Sequence, residues 1–468
     1  MFLPPNIVRI AIAKKVIFLK SKCRDQLSKG RKENDMQRVL NEIDFALLII
    51  MSVAYSYHIL YIFVGWYNRK KENTHTPVQP HRFAALICAR NEGSVITELI
   101  NSLKKQNYPA ELLDVYVLAD NCTDDTAEKA AAAGAQVYWR FNREQVGKGY
   151  ALDYLLQRID KEKGYHHYDG FFVFDADNIV DSNFVSEMNK TYSKGYQVIT
   201  SYRNSKNFAA NWITYGYSVW FMFEARFINS PRMILGNGCA VSGTGFFVSS
   251  KVVSQNKGWP FHLLTEDIQF SVNCAITGCK IGYCNNAIVY DEQPVSFSQS
   301  WTQRMRWAKG FYQIDSKYLG KLSHGALTSR DNRMTCYDIL MTVAPSRLLS
   351  IFVAGFNVIV LLTCLTMPVH TVRLVVAQSV SFIGMTFVMG YIGTVIIGLI
   401  TVISEWERIH TVPWRKLVFL PLFPVFMATY IPISLAALIK KVDWKPIRHY
   451  ASSQMDATLA SSRNSAGN

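Results

Sequence analysis

The chain has 468 residues, 49% of them hydrophobic and only 18% charged, with 50 Lys and Arg against 35 Asp and Glu for a formal charge of +15. Soluble domains carry about a quarter charged residues, and the mean hydropathy here is slightly positive, +0.05. These values exclude a disordered, collagen-like or disulfide-scaffold chain, and they leave the class to be decided by where the apolar residues lie.

Residues 1–38 hold ten Lys and Arg, a basic excess that suits anionic lipid; no RNA or DNA motif accompanies it, so nucleic acid is not expected as a partner. A basic segment 1–44 precedes a transmembrane helix at 45–66, whose core Phe45–Gly65 carries no Asp, Glu, Lys or Arg. Its length of about 20 residues suffices for a bilayer core of roughly 30 Å. The positive-inside rule alone would place the basic end in the cytosol and the following domain outside. A cytosolic domain then requires either that Phe2–Leu19 is a membrane-associated helix or that translation begins at Met36. Both readings stay open.

From Phe83 the pattern becomes that of a soluble α/β domain, expected over 83–331. Phe83–Cys88 reads as a strand, Val95–Gln106 as a helix, Val115–Ala119 as a strand ending at Asp120, Ala127–Ala133 as a helix and Gln136–Trp139 as a strand. Leu152–Arg158 follows as a helix and Gly170–Phe174 as a buried strand running into Asp175-Ala176-Asp177. Strands alternating with helices imply a mainly parallel sheet covered on both faces, with ligands at the carboxyl ends of its strands. The polar residues at those ends are Arg90-Asn91-Glu92, Asp120 and Asp175-x-Asp177. The aromatic stretch Phe208–Phe227 reads as an amphipathic helix on the membrane surface, with ordinary core packing as the competing reading. Beyond residue 334, interfacial and transmembrane helices are expected to 440, with apolar runs at Leu348–Met367, Leu374–Ile403 and Leu417–Ile439 and Trp at their ends, where indoles favour the headgroup layer. Leu374–Ile403 at 1.5 Å per residue must tilt or extend past the bilayer. Residues 441–468 form a short Ser/Ala-rich tail.

Nine Cys are scattered without a CxxC pair. With no cleavable signal peptide in view, a reduced cytosolic setting is expected for the soluble domain. The even spacing of Cys274, Cys279 and Cys284 invites a metal site, but without a nearby His or fourth Cys, small buried residues are the better reading.

Taken together, Asp120, Asp175-Ala176-Asp177, Thr265-Glu266-Asp267 and Gln303-Arg304-Met305-Arg306-Trp307 resemble the D, DxD, TED, QxxRW signature of processive family 2 glycosyltransferases. That family holds the cellulose, hyaluronan, chitin, poly-N-acetylglucosamine and nodulation chito-oligosaccharide synthases. The resemblance covers roughly Phe83 to Asp315 and implies a GT-A fold, a Rossmann-like α/β domain with a mixed, mainly parallel sheet, joined to α-helical transmembrane segments. Each residue also has a plainer reading. Asp120 implies contact with the uracil of a UDP-sugar, with Arg90, Asn91 and Glu92 beside the nucleotide; alone it reads as an Asx turn. The resemblance implies a Mg²⁺ or Mn²⁺ site at Asp175 and Asp177, since a hard cation bridging to diphosphate relieves the repulsion of two close carboxylates; alone the pair reads equally as a plain turn. Lys148 lies where family members place a basic group near the diphosphate, although the spacing departs from the cellulose-synthase pattern.

Asp267 implies the general base for the acceptor hydroxyl, and Glu266 is the neighbour to test as a substitute. Thr265-Glu266-Asp267 also suits a helix start, and capping there would fix the base. Gln303, Arg306 and Trp307 at i, i+3 and i+4 share one helix face. The resemblance implies that Trp307 stacks on the acceptor sugar while Gln303 and Arg306 hold acceptor and diphosphate; an interfacial helix rich in Trp and Arg is the plainer reading. The loops Gly236-Asn237-Gly238 and Ser242-Gly243-Thr244-Gly245, Gly243 and Thr244 above all, can bring backbone close to an acceptor, and read equally as turns of a mixed sheet.

The expectation is an inverting, membrane-embedded glycosyltransferase in the cell membrane with its catalytic domain cytosolic. It would move a sugar from UDP-glucose or UDP-N-acetylglucosamine onto a growing β-linked polysaccharide, with accessory export subunits as further partners. A glycolipid synthase acting on a membrane lipid is the nearest rival. A non-catalytic nucleotide-sugar-binding transport or receptor subunit is the rival from another class.

Overall fold

The computed structural model describes residues 31–68, 78–344, 369–442 and isolated positions between 355 and 362. The expected segments Phe2–Leu19 and the tail 443–468 lie outside the described residues, as does most of Leu348–Met367. The chain divides into two compact units, Met1–Ser56 with Ile351–Met389, and Tyr57–Ser350 with Gly390–Asn468.

In the first unit the described chain is helical and presents apolar side chains outward. Phe45, Ile50 and Val53 of the helix Arg31–Tyr55 are exposed, as are Val380, Ile383 and Met385. The second unit holds an eight-stranded sheet in the order β3-β2-β1-β4-β7-β6-β8-β5. The strands are β1 Phe83–Ala89, β2 Leu113–Asp120, β3 Gln136–Arg140, β4 Gly170–Phe174, β5 Ile179–Val180, β6 Val198–Ser205, β7 Phe246–Ser249 and β8 Ile281–Asp291. Strands β3, β2, β1 and β4 are mutually parallel, β7 is antiparallel to both β4 and β6, and β6 runs parallel to β8. This is the mixed, mainly parallel sheet of the expected GT-A fold.

The near-continuous apolar run of β1 follows from cover on both faces. Ala84 and Leu86 join one core with Leu118, Leu155 and Phe270, while Phe83, Ala85 and Ile87 join the other with Leu99, Phe172 and Phe174. Successive side chains point to opposite faces, so one strand serves two cores, each fully buried Leu or Phe contributing about 1.5–3 kcal/mol. Cys274 and Cys284 are buried and Cys279 half-buried, in keeping with packing rather than ligation.

One expectation needs correction. The helix Trp212–Phe223 starts at an Asn211–Thr214 capping box, and ten of its twelve residues are buried. It is therefore an interior helix, because a helix lying on a surface leaves one face uncovered. The run Leu417–Ile439 is not one continuous helix. Pro413, Pro421 and Pro424 each open a new piece, giving the short turns Pro413–Lys416 and Leu420–Leu422 and the helices Phe423–Ala428 and Tyr430–Ile439. Proline lacks the N–H that a helix interior needs. This broken segment is held by the long helix Phe297–Thr328: Arg304 Nη1 donates to Phe426 O (3.1 Å) and Thr429 Oγ1 (2.8 Å), Lys309 Nζ to Ala437 O (3.1 Å) and Tyr312 Oη to Ser434 O (3.1 Å).

Among the described residues three stretches are long and apolar enough to cross a membrane, Phe45–Tyr67, Ser379–Ser404 and Pro413–Ile439. The second belongs to the helix Val369–Ser404, whose 36 residues exceed a bilayer core at 1.5 Å each, as expected of that run.

Candidate active site

Parallel strands deliver their carboxyl ends to one edge, and the first polar cluster forms there. Asp120 ends β2 directly opposite Arg140, the last residue of β3. Arg140 Nη1 meets Asp120 Oδ1 at 2.7 Å, with both side chains nearly buried. Burial pushes the Asp120 carboxyl up, and Arg140 and the more distant Arg90 only partly offset it. Asn121 follows in the left-handed region (φ 53°) and donates to Asp120 Oδ1 at 3.2 Å, so the Asx-type turn and a fixed carboxylate coexist. Across from it, Asn91 Oδ1 accepts from Thr123 N (2.8 Å), and Glu92 N donates to Thr126 Oγ1 (2.9 Å). The Arg90–Glu92 loop is thereby tied to the loop after β2, beside Asp120.

The second cluster joins four distant parts of the chain. Lys148, the first residue of the helix Lys148–Lys163, pairs with Asp175 Oδ1 and donates to Gly243 O at 2.6 Å. Burial pulls the Lys148 ammonium down, but the carboxylates of Asp175 and Glu266 outweigh it, so its pKa stands above the ordinary value. Thr244 Oγ1 accepts from Asp175 N at 2.9 Å. Gly243 has φ +77°, and a Cβ there would stand 3.4 Å from Asp267 Oδ2. Lys148, Asp175, Gly243, Thr244 and Asp267 thus surround one small volume.

Asp267 and Glu266 open the helix Glu266–Thr277. Burial raises both carboxyls; the negative charge of Asp267 adds to the rise at Glu266, while Lys148 and Arg203 restrain it at Asp267. The expected capping by Thr265 is not observed: it occupies the N-cap position without a side-chain cap bond. The hydroxyl packs instead on the long helix, at Gly310, where a Cβ would come within 2.4 Å of Thr265 Oγ1. Gln269 and Gln313 complete that junction. Leu263 N donates to Gln269 Oε1 (3.0 Å), Gln269 Nε2 to Tyr318 Oη (3.0 Å) and Leu264 N to Gln313 Oε1 (3.1 Å).

On the long helix, Arg306 is near enough to Glu266 for its charge to offset a little of the rise that burial and Asp267 impose on that carboxyl. Gln303 Oε1 and Arg306 Nε are buried without a hydrogen-bond partner among the described residues. Trp307 stands edge-on to Tyr217 and Phe221, with ring centroids 5.8 and 6.4 Å apart. Arg304, inside the same pentapeptide, faces the other way and anchors the broken segment.

A divalent cation would find two hard oxygen donors in Asp175 and Asp177. Asp177 already accepts from Asn178 Nδ2 (3.4 Å) and Glu292 N (3.3 Å). Among the described residues no third His, Cys, Asp or Glu joins to form a metal-holding group. Two carboxylates fit a Mg²⁺ or Mn²⁺ whose remaining positions are taken by substrate phosphate and water.

Sequence reasoning passed over several residues that matter here. Arg203 Nε donates to Asp291 Oδ2 (2.9 Å), its Nη1 to Ser242 O (3.1 Å), and its guanidinium lies 3.8 Å from the Phe221 ring centroid. Glu224 accepts from Ser242 Oγ at 3.2 Å. The segment 237–244 acts as a spine. Asn237 Nδ2 donates to Tyr61 Oη (3.3 Å), Gly238 N to Thr335 Oγ1 (3.0 Å) and Val241 N to Ser271 Oγ (3.0 Å), which itself donates to Asp267 O (2.9 Å). Its two Gly loops were singled out from the sequence; the hydrogen bonds that join them to Tyr61, Thr335 and Ser271 were not.

A mixed, mainly parallel sheet with acidic residues gathered at the carboxyl ends of its parallel strands has the architecture of a GT-A domain. Residues 80–310 match the family described as "Glycosyltransferase like family 2"; this part of the chain is a family 2 glycosyltransferase domain, an enzyme domain. The chain is 26% identical over 234 residues to a beta-monoglucosyldiacylglycerol synthase of Synechocystis sp., covering 49% of this chain and 47% of that protein. It is 21% identical over 234 residues to a poly-beta-1,6-N-acetyl-D-glucosamine synthase of Staphylococcus epidermidis, covering 49% and 54%. It spans about half the length of these relatives. Among solved structures, the mannosyltransferase PcManGT from Pyrobaculum calidifontis, in complex with GDP-Man and Mn²⁺, is similar at 13% identity and a TM-score of 0.43, over 78% of this chain and 99% of that one.

Proposed function

We propose that this protein is an inverting glycosyltransferase that moves a sugar from a UDP-sugar to an acceptor hydroxyl at a membrane. The observation that carries the reading is the convergence of Lys148, Asp175, Gly243 and Asp267 from four separate parts of the chain. Asp120, with Arg140 behind it, binds the uracil. Lys148, freed from Asp175, takes the diphosphate. Asp175 and Asp177 hold a Mg²⁺ or Mn²⁺, which when bound offsets the charge gathering on the departing UDP. Asp267 takes the proton of the acceptor hydroxyl as that oxygen attacks C1 from the face opposite the phosphate. The C1–O bond to phosphate breaks, UDP leaves with its electron pair, and a β-linkage forms without a covalent enzyme intermediate. The raised pKa of Asp267 suits a base. Gln303 and Arg306, with buried polar atoms left over, orient diphosphate and acceptor beside Trp307.

The acceptor on this reading is the end of a growing β-glycan, with UDP-glucose or UDP-N-acetylglucosamine as donor and export subunits as partners. A lipid acceptor is the second reading, favoured by the glucosyldiacylglycerol synthases being more identical to this chain than the polymer synthases. The domain faces the cytosol, where nucleotide sugars reside, and the apolar stretches hold it in the cell membrane.

The test is incubation of the membrane-inserted chain with Mg²⁺ or Mn²⁺ and one labelled UDP-sugar at a time, beside Asp267→Asn. A long product absent in the variant supports the polymer. A small solvent-extractable product selects the lipid acceptor. UDP release equal in the variant and the parent refutes the role of Asp267, and no release from any donor refutes the transfer reading in favour of a nucleotide-sugar-binding subunit.

A further inference from the structure

We propose that Glu224 is an acceptor-binding residue whose carboxylate receives a second free hydroxyl, beside the one Asp267 deprotonates. The acceptor is then a polyol, the terminal sugar of a glycan or glycolipid, and not a lipid with a single free hydroxyl. This rests on the transfer reading above and narrows its acceptor.

Glu224 opens a π turn, Glu224–Asn229, that interrupts the buried run after Phe223. Such turns are rare and recur at functional sites. Oε2 of Glu224 accepts from Ser242 Oγ at 3.2 Å, the one hydrogen bond to this carboxylate among the described residues. Arg232 and Arg203 act on it only at longer range, and burial keeps its carboxyl above the ordinary value. A half-buried carboxylate has several acceptor sites, so with one of them used by Ser242 it can still take a further donor.

The surroundings say which donor. Phe221 lies one turn earlier on the same helix face, stacked under Arg203 and within 6.4 Å of the Trp307 ring. Ser242, which holds Glu224, precedes Gly243, whose Cβ position lies 3.4 Å from Asp267 Oδ2. Pairwise contacts thus link the Trp307 ring, through Phe221 and Arg203, to the Ser242–Gly243 segment that touches both Glu224 and Asp267. A pyranose presents apolar C–H groups and several hydroxyls together, whereas diacylglycerol offers one hydroxyl, which Asp267 already uses.

The test uses the full chain in phosphatidylcholine nanodiscs, with equilibrium binding of radiolabelled octyl β-glucoside and of octanol in the presence of UDP. The parent should bind the glucoside at least about tenfold more tightly than octanol, since a hydrogen bond to a charged group is worth about that factor. Glu224→Gln and Glu224→Ala should each lose most of that preference while UDP affinity stays unchanged. Equal binding of the two probes by the parent overturns the proposal, as does an undiminished preference in both variants or a parallel loss of UDP affinity. The readout needs no turnover, so failure of the transfer reading appears separately, as absence of UDP release by the parent.

Discussion

The fully buried charge pair of Arg232 and Asp338 gives a prediction whose size can be worked out. Asp338, fully buried on the helix Arg333–Val343, accepts from Arg232 Nε (2.7 Å) and Nη2 (2.8 Å), Tyr61 Oη (2.7 Å) and Tyr57 Oη (3.1 Å). Burial would raise its pKa, but Arg232 and the two hydroxyls more than offset this and hold the carboxyl below its ordinary value. Asp338→Ala leaves a buried guanidinium without its counter-charge, at a cost of about 3–5 kcal/mol. Arg232 keeps weaker bonds to Thr342 Oγ1 (3.1 Å) and Asn229 Oδ1 (3.4 Å), which argues for the lower half of that range. At about 2–4 °C per kcal/mol for a domain of this size, the apparent Tm should fall by roughly 6–16 °C. Tyr61→Phe, which removes one hydrogen bond, should cost about 1 kcal/mol. The double variant Asp338→Leu/Arg232→Met should recover most of the loss, because a buried ion pair and a well-packed apolar pair are of similar stability. The assay is thermal unfolding in detergent at fixed scan rate. A drop for Asp338→Ala no larger than for Tyr61→Phe would refute the reasoning. Because Asn237 bonds Tyr61, the damage should also reach the 237–244 spine, read as a lower kcat at a permissive temperature.

The remaining predictions concern the site. Asp267 must be ionised to act, and its pKa is raised, so kcat/KM should fall as pH drops through that raised value, above the ordinary range near 4; Asp267→Asn should abolish this acid limb and lower turnover by about 10²–10⁴-fold. Lys148→Met should weaken UDP-sugar binding about tenfold or more by calorimetry, because a charge-assisted contact to phosphate is lost; unchanged affinity would remove Lys148 from the diphosphate site. Chelation should abolish turnover and added Mn²⁺ restore it, with Asp177→Ala requiring more metal; full activity in chelator would count against the cation. Gly243→Ala should cost about 1–2 kcal/mol for its left-handed backbone and crowd Asp267, lowering kcat more than UDP affinity.

Much of the framework follows from sequence alone, because apolar runs and their period are local properties. The strands β1, β2 and β4, the carboxylates at their ends and the helix carrying Gln303, Arg306 and Trp307 are legible without coordinates, since a strand buried on both faces must be apolar throughout. The tertiary structure decided what depends on register and long-range contact. Arg140 faces Asp120 only because β3 pairs with β2 in one register. The helix Trp212–Phe223 is interior because β6 and the proline-broken segment cover it, and no periodicity distinguishes an aromatic helix in a core from one on a membrane. Glu224, Arg203 and the contacts of the 237–244 loops emerge last, since they involve neighbours tens to hundreds of residues away in the chain, and a sequence records such neighbours only through the fold that unites them.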